Sequence, residues 1–227
     1  MSRRHHLQKM RDSAPLILPS LLLCDFSNLQ REVEQLAAAG IQVLHLDVMD
    51  GHFVPNMTYG MPIVEACRKL TDMTLDVHLM VTRPERYIDQ FFESGADVIT
   101  IHVEATEEPA AALQKIRDLG AGAGLALNPD TELSTIEPLL PLCDLVLPMS
   151  VNAGFGGQQF NPVALEKIRK LKEMAPHVLL EMDGGVNEST IADCTAAGAE
   201  LLVVGSAIFK KSDYGTAIQG LLELANP

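Results

Sequence analysis

Two hydrophobic periods take turns along this chain. Short apolar or β-branched runs, bounded by turn residues and too brief for helices, predict eight strands at 16–23, 43–50, 75–81, 98–104, 124–127, 145–151, 178–183 and 201–205. Between them apolar residues recur every three or four positions, the stripe of an amphipathic helix. Leu29, Val33, Leu36 and Ala37 make the first such stripe, with Asp25 or Ser27 as its cap and Gly40 as its end. The same spacing predicts helices at 60–70, from Pro84 onward, and at 110–119, 133–140, 163–174, 189–197 and 214–224. Pro84 suits a first helical position, where a missing N–H leaves no bond unmade.

The phrases AAAGIQVLHLD, ESGADVITIHV and TAAGAELLVVG repeat one order: helix end, glycine, strand. Eight strands alternating with eight helices in 227 residues call for parallel strands joined by right-handed crossovers. The expected fold is α/β, a closed (β/α)8 TIM barrel, with a doubly wound open sheet as the alternative. One domain is expected over 15–227. Residues 1–14 are basic and lack the apolar centre of a signal peptide, so they read as a loose extension. The apolar run at 16–24 is too short to span a bilayer.

Certain polar residues interrupt this pattern in phase. In HLDVMDGHFVPN, at 45–56, strand alternation puts His45, Asp47 and Met49 on one face and Leu46 and Val48 on the other. Asp76, His78 and Met80 share a face in the same way, as do Thr100, His102 and Glu104, and Asp183 closes the seventh strand. Taken alone, His45 and Asp47 fit a satisfied core pair as well as a site. A barrel gathers strand ends at one mouth, where His45, Asp47, His78 and Asp183 make a candidate site for one divalent metal. Zn, Fe(II), Co and Mn all suit such ligands. Met49, Met80 and Met149 fit either core packing or an apolar cap over the site, while His102 and Glu104 are candidates for supporting its ligands.

A formal charge of -13 disfavours nucleic acid and anionic membranes as partners. An anionic ligand must therefore meet local donors. Gly154, Gly156 and Gly157 follow the sixth strand, Gly184 and Gly185 the seventh, and Gly205 with Ser206 the eighth. Backbone N–H groups in such turns hold phosphate without a basic side chain; tight turning alone is the other reading. Cys24, Cys67, Cys143 and Cys194 show no metal or redox spacing and suit a buried, reduced state in the cytoplasm.

The segments HLDVMDGHFVPN, LDVHLMV, MSVNAGFGGQQF, MDGGV and VVGSAIF, in this order, resemble the ribulose-phosphate 3-epimerase family from Pro15 onward. The resemblance implies interconversion of D-ribulose 5-phosphate and D-xylulose 5-phosphate in the pentose phosphate pathway, through an enediolate stabilised by the metal. It implies His45, Asp47, His78 and Asp183 as ligands, with Asp47 and Asp183 as the two acid–base groups. It also implies sugar-phosphate contacts from Ser20, His78, Gly154, Phe155, Gly156, Gly157, Asp183, Gly184, Gly185, Gly205 and Ser206, and a homo-oligomer. A 3-epimerase of a hexulose 6-phosphate such as allulose 6-phosphate is the near alternative. A decarboxylase or aldolase of the same barrel type would need a lysine beside the carboxylates, and HLDVMD, LDVHLMV and EMDGG contain none. The family usually carries proline before GFGGQ; Ala153 stands there in this chain and is expected to loosen that loop.

Overall fold

The computed structural model describes residues 2–155 and 157–226. Strands β1 (Leu16–Pro19), β2 (Val43–Met49), β3 (Thr74–Met80), β4 (Val98–His102), β5 (Gly122–Leu127), β6 (Leu145–Pro148), β7 (Leu179–Met182) and β8 (Leu201–Val204) lie in one sheet. Their order is β1-β8-β7-β6-β5-β4-β3-β2, and the recorded pairings are parallel. A parallel bridge from Ser20 to His45 brings the last edge to the first, so the sheet is a nearly closed barrel.

Alternation along each strand gives the barrel its two apolar surfaces. Outward residues such as Leu44, Leu46, Val77, Leu79, Ile99 and Ile101 join the large cluster beneath the helices. These include α2 (Leu29–Ala38), α3 (Met61–Leu70), α4 (Ile88–Glu93), α5 (Pro109–Leu119) and α6 (Val163–Met174). Their periodic residues, Val33 and Leu36 on α2 and Leu113 and Ile116 on α5, are at most 1% exposed. Each fully buried side chain of this kind contributes about 1.5–3 kcal/mol relative to an exposed one. Inward residues Leu16, Leu18, Leu145, Leu147, Leu179, Leu201 and Val203 fill a second, interior cluster. Strand β5 contributes little volume there. An added Cβ at Gly124 would stand 3.0 Å from the Thr100 Cα of β4, its register partner.

Several segments depart from the sequence reading: β1 ends at Pro19, with Leu21–Leu23 in a 3-10 turn, and β6 ends at Pro148. The helix expected at 133–140 is two 3-10 turns, Leu133–Thr135 and Glu137–Leu142, because Pro138 and Pro141 each lack the N–H an α-helix needs. Strand β4 stops at His102, and Glu104 lies in the 3-10 turn Val103–Ala105 rather than on the strand. The N-terminal segment is not loose: α1 (His5–Ser13) closes the bottom of the barrel. Met10, 2% exposed, and Leu7 pack into the interior cluster. Arg4 forks onto Asp144 with bonds of 2.5 and 2.6 Å. Two apolar residues three apart, together with Arg3 and Arg4 bonded to the barrel, dock a segment whose charges had suggested exposure.

Candidate active site

Register builds the site from β2 and β3. Asp47 pairs with His78, and His45 with Asp76, so four polar side chains face inward on adjacent strands. Asp183 stands one residue beyond β7, held by its bridge to Met149. His45 Nε2 and His78 Nδ1 each lie 3.2 Å from Asp47 Oδ1, and His78 Nδ1 is 3.9 Å from Asp183 Oδ2. One donor atom from each of His45, Asp47, His78 and Asp183 falls within 4.8 Å of the others, so this cluster could hold one metal ion. The two imidazoles are fully buried, whereas the Asp183 side chain keeps 18% exposure.

The fit to a cation is visible in the charges. Burial opposes a charge on His45, but the carboxylates of Asp47 and Asp76 outweigh it and hold the imidazole protonated well above its ordinary range. A proton thus sits where a ligand bond would form, and binding a metal would displace it. His45 Nδ1 bonds Asp76 Oδ2 at 2.7 Å, which leaves Nε2 toward Asp47. Glu181 Oε1 is 3.1 Å from the same Nδ1. Its geometry is off line for a hydrogen bond, and neither Glu181 oxygen has a hydrogen-bond partner among the described residues. Burial, reinforced by the Asp76 charge, pushes Glu181 up to about 8.

The carboxyls of Asp47 and Asp183 sit in opposed environments. Burial would raise Asp47, but His45 and His78 overcome it and hold the group well below the usual carboxylate range. Ser20 Oγ donates to Asp47 Oδ2 at 2.5 Å. Asp183 goes the other way, raised to about 6 by burial and by the charge of Asp47.

Above this floor is a cavity of about 280 Å³. Ser20, Asp47, Asp183, Gly154, Phe155, Gly157, Gly184, Gly185, Gly205 and Ser206 line it. His78 lies beneath, fully buried, and Gly156 is outside the described residues. Met49, Met80 and Met149 form part of its wall. Met49 and Met80 pack with Val54 in a small cluster at the mouth, while Met149 belongs to the barrel interior. At Gly184 φ is +103°, and an added Cβ would meet Val151 Cγ2 at 2.5 Å, so the turn after β7 needs glycine. Ala153 is tied rather than loose: its N–H donates to Asn128 Oδ1 at 3.0 Å, a bond proline could not make.

Residues not singled out from sequence also build the site. Tyr59 Oη accepts the Asp47 N–H at 3.1 Å, and Gln158 Nε2 holds the loop carbonyls of Asn152 and Phe155. Alternation could have found Glu181, two residues before Asp183. Nothing local to the sequence marks Tyr59.

A nearly closed parallel barrel with a polar floor under a cavity at the C-terminal ends of its strands defines an enzyme of the (β/α)8 class. The ribulose-phosphate 3 epimerase family matches residues 16–209. Ribulose-phosphate 3-epimerases of Synechocystis sp. and Bacillus subtilis are each 46% identical to this chain, over 93% and 89% of it and 95% of each relative. The chloroplastic ribulose-5-phosphate-3-epimerase of Arabidopsis thaliana is 43% identical over 93% of this chain and 78% of its own. The chain belongs to the ribulose-phosphate 3-epimerase family, and it is an isomerase. In fold alone it is similar to 3-keto-L-gulonate-6-phosphate decarboxylase from Vibrio cholerae, with a TM-score of 0.71 at 18% identity over 94% of this chain and 98% of that one. The 3-hexulose-6-phosphate synthase of Salmonella typhimurium gives 0.70 at 12% identity over 92% and 98%.

Proposed function

We propose that this chain interconverts D-ribulose 5-phosphate and D-xylulose 5-phosphate by moving a proton at C3. Asp47 and Asp183 are the two acid–base groups, and His45, Asp47, His78 and Asp183 hold one divalent metal. The observation that carries this reading is the convergence of two carboxyls and two imidazoles on one cavity floor, with Asp47 shifted down and Asp183 shifted up. Ionised Asp47 is suited to take the C3 proton, which the neighbouring carbonyl acidifies. Asp183, raised to about 6, carries a proton more readily than Asp47 and is suited to return one from the other side, and in the reverse direction the roles exchange. The pair titrates as one unit because each group shifts the other. A divalent cation among these four ligands, when bound, supplies Lewis-acid polarisation of the oxygens beside the reacting carbon.

The rest of the cavity suits a sugar phosphate. Among the described lining residues there is no lysine, arginine or histidine. A phosphate would therefore be met by backbone N–H groups at the turns carrying Gly184, Gly185, Gly205 and Ser206. Gly154, Phe155 and Gly157 supply the loop beside it, and Met49, Met80 and Met149 are suited to keep water from the intermediate. The lack of a cavity lysine also argues against decarboxylase or aldolase chemistry. Lys167 is spent elsewhere, its Nζ bonded to the carbonyls of Asn128, Pro129 and Thr131.

The decisive experiment is turnover in deuterated water. Both ketose phosphates should acquire deuterium at C3, and chelation should abolish exchange until a divalent metal is restored. Turnover without solvent deuterium at C3 would refute the proton-transfer reading.

A further inference from the structure

Only one nitrogen of His78 faces the candidate metal position. Nδ1 points toward Asp47 and Asp183, while Nε2 lies 2.8 Å from Nε2 of His102. Two imidazole nitrogens at that separation share one proton, so one ring donates and the other accepts. The choice is made one residue further out. His102 Nδ1 is 3.1 Å from Glu104 Oε2, and a carboxylate can only accept. His102 therefore carries its proton on Nδ1 and offers a lone pair at Nε2. His78 must then donate from Nε2, which leaves Nδ1, 3.2 Å from the Asp47 carboxylate, as the nitrogen that gives up any proton of its own when a metal binds.

Glu104 is itself held in this orientation. Its other oxygen, Oε1, accepts the Asn128 N–H at 2.7 Å and the Thr131 hydroxyl at 2.5 Å. Both imidazoles are fully buried, which closes off exchange of partners with solvent. Burial would raise Glu104, but hydrogen bonds from His102, Thr131 and Asn128 hold it down to about 2.

We propose that Glu104 and His102 are positioning residues that fix a proton on His78 Nε2 and so reserve its Nδ1 for the metal. This rests on His78 being a ligand, as proposed above. A hydrogen-bonded partner behind a metal-bound imidazole typically changes metal affinity 10–100-fold when lost. Here the partner is a second imidazole, and the carboxylate acts through it.

Glu104→Gln provides the test, because the amide has one acceptor oxygen. Asn128 N–H and Thr131 draw that oxygen to their side, which leaves the NH2 facing His102 Nδ1. The chain of protons then reverses: His102 donates from Nε2, and His78 holds its proton on Nδ1, at the ligand position. Nitrogen-15 NMR of the histidine rings in zinc-free protein reads this directly. The wild type should show protons on His102 Nδ1 and His78 Nε2, and folded Glu104→Gln should show the His102 proton on Nε2. Competition with a chromophoric chelator should give zinc affinity about 10–100-fold weaker in the variant. A wild type with the proton on His102 Nε2 overturns the proposal whether or not the variant folds. So does a folded variant with unchanged tautomers and zinc affinity. A wild type that binds no zinc overturns the metal reading instead, and the zinc-free tautomers still decide the relay.

Discussion

Asp183 carries the most direct prediction at the scale of single residues. Asp183→Asn preserves shape and removes the proton, so kcat should fall about 10²–10⁴-fold with the barrel still folded. Steady-state assays beside a circular dichroism spectrum check this, and near-normal turnover would remove Asp183 from the chemistry. His102 predicts how the metal-free protein responds to acid. Its folded pKa, about 4, is below the ordinary imidazole value of 6.5. The unfolded chain therefore takes up the proton first, and stability falls as pH drops from about 6.5 toward 4, by roughly 3 kcal/mol from this residue. Urea titrations across that range should show the loss, and a His102→Asn variant should lack this part of the slope. Alternation in HLDVMD and LDVHLMV brought out His45, Asp47 and His78 before any coordinates, because a strand fixes which side chains share a face. The bond that holds Ala153 was illegible, since its acceptor is a side chain 25 residues away.

Among the elements, β5 is the one that yields space. Gly122, Gly124 and Ala126 lie opposite Val98, Thr100 and His102 of β4 in register. A methyl group at Gly124 collides with Thr100, whose backbone cannot retreat from the sheet. Gly124→Ala should therefore destabilise the fold by about 1–3 kcal/mol, although it touches none of the proposed reactive groups. The urea midpoint should fall; an unchanged midpoint would mean that β4 and β5 can separate. The strands were easy to find from sequence because each buried run is bounded by glycine or turn residues. The 133–142 crossover was not, since Leu133, Ile136 and Leu140 keep a helical rhythm that Pro138 and Pro141 forbid the backbone to follow. Glu104 was placed correctly near the mouth but on the wrong element. The chain turns at Val103, and the carboxylate reaches His102 from that turn.

For the molecule as a whole, charge sets an expectation. A protein of net charge -13 with two aspartates on its cavity floor repels a phosphate dianion at long range. Raising ionic strength from about 10 to 150 mM shrinks the screening length from about 30 to 8 Å, so kcat/KM should rise and then level off. A fall with salt would point instead to a local positive field at the mouth. The closed base of the barrel carries a different consequence, one of timing. Arg4 and Asp144 are 140 positions apart, so during synthesis α1 must wait for β6 before it can dock. The segment made first becomes one of the last to settle, when Met10 seats on the apolar interior of the barrel.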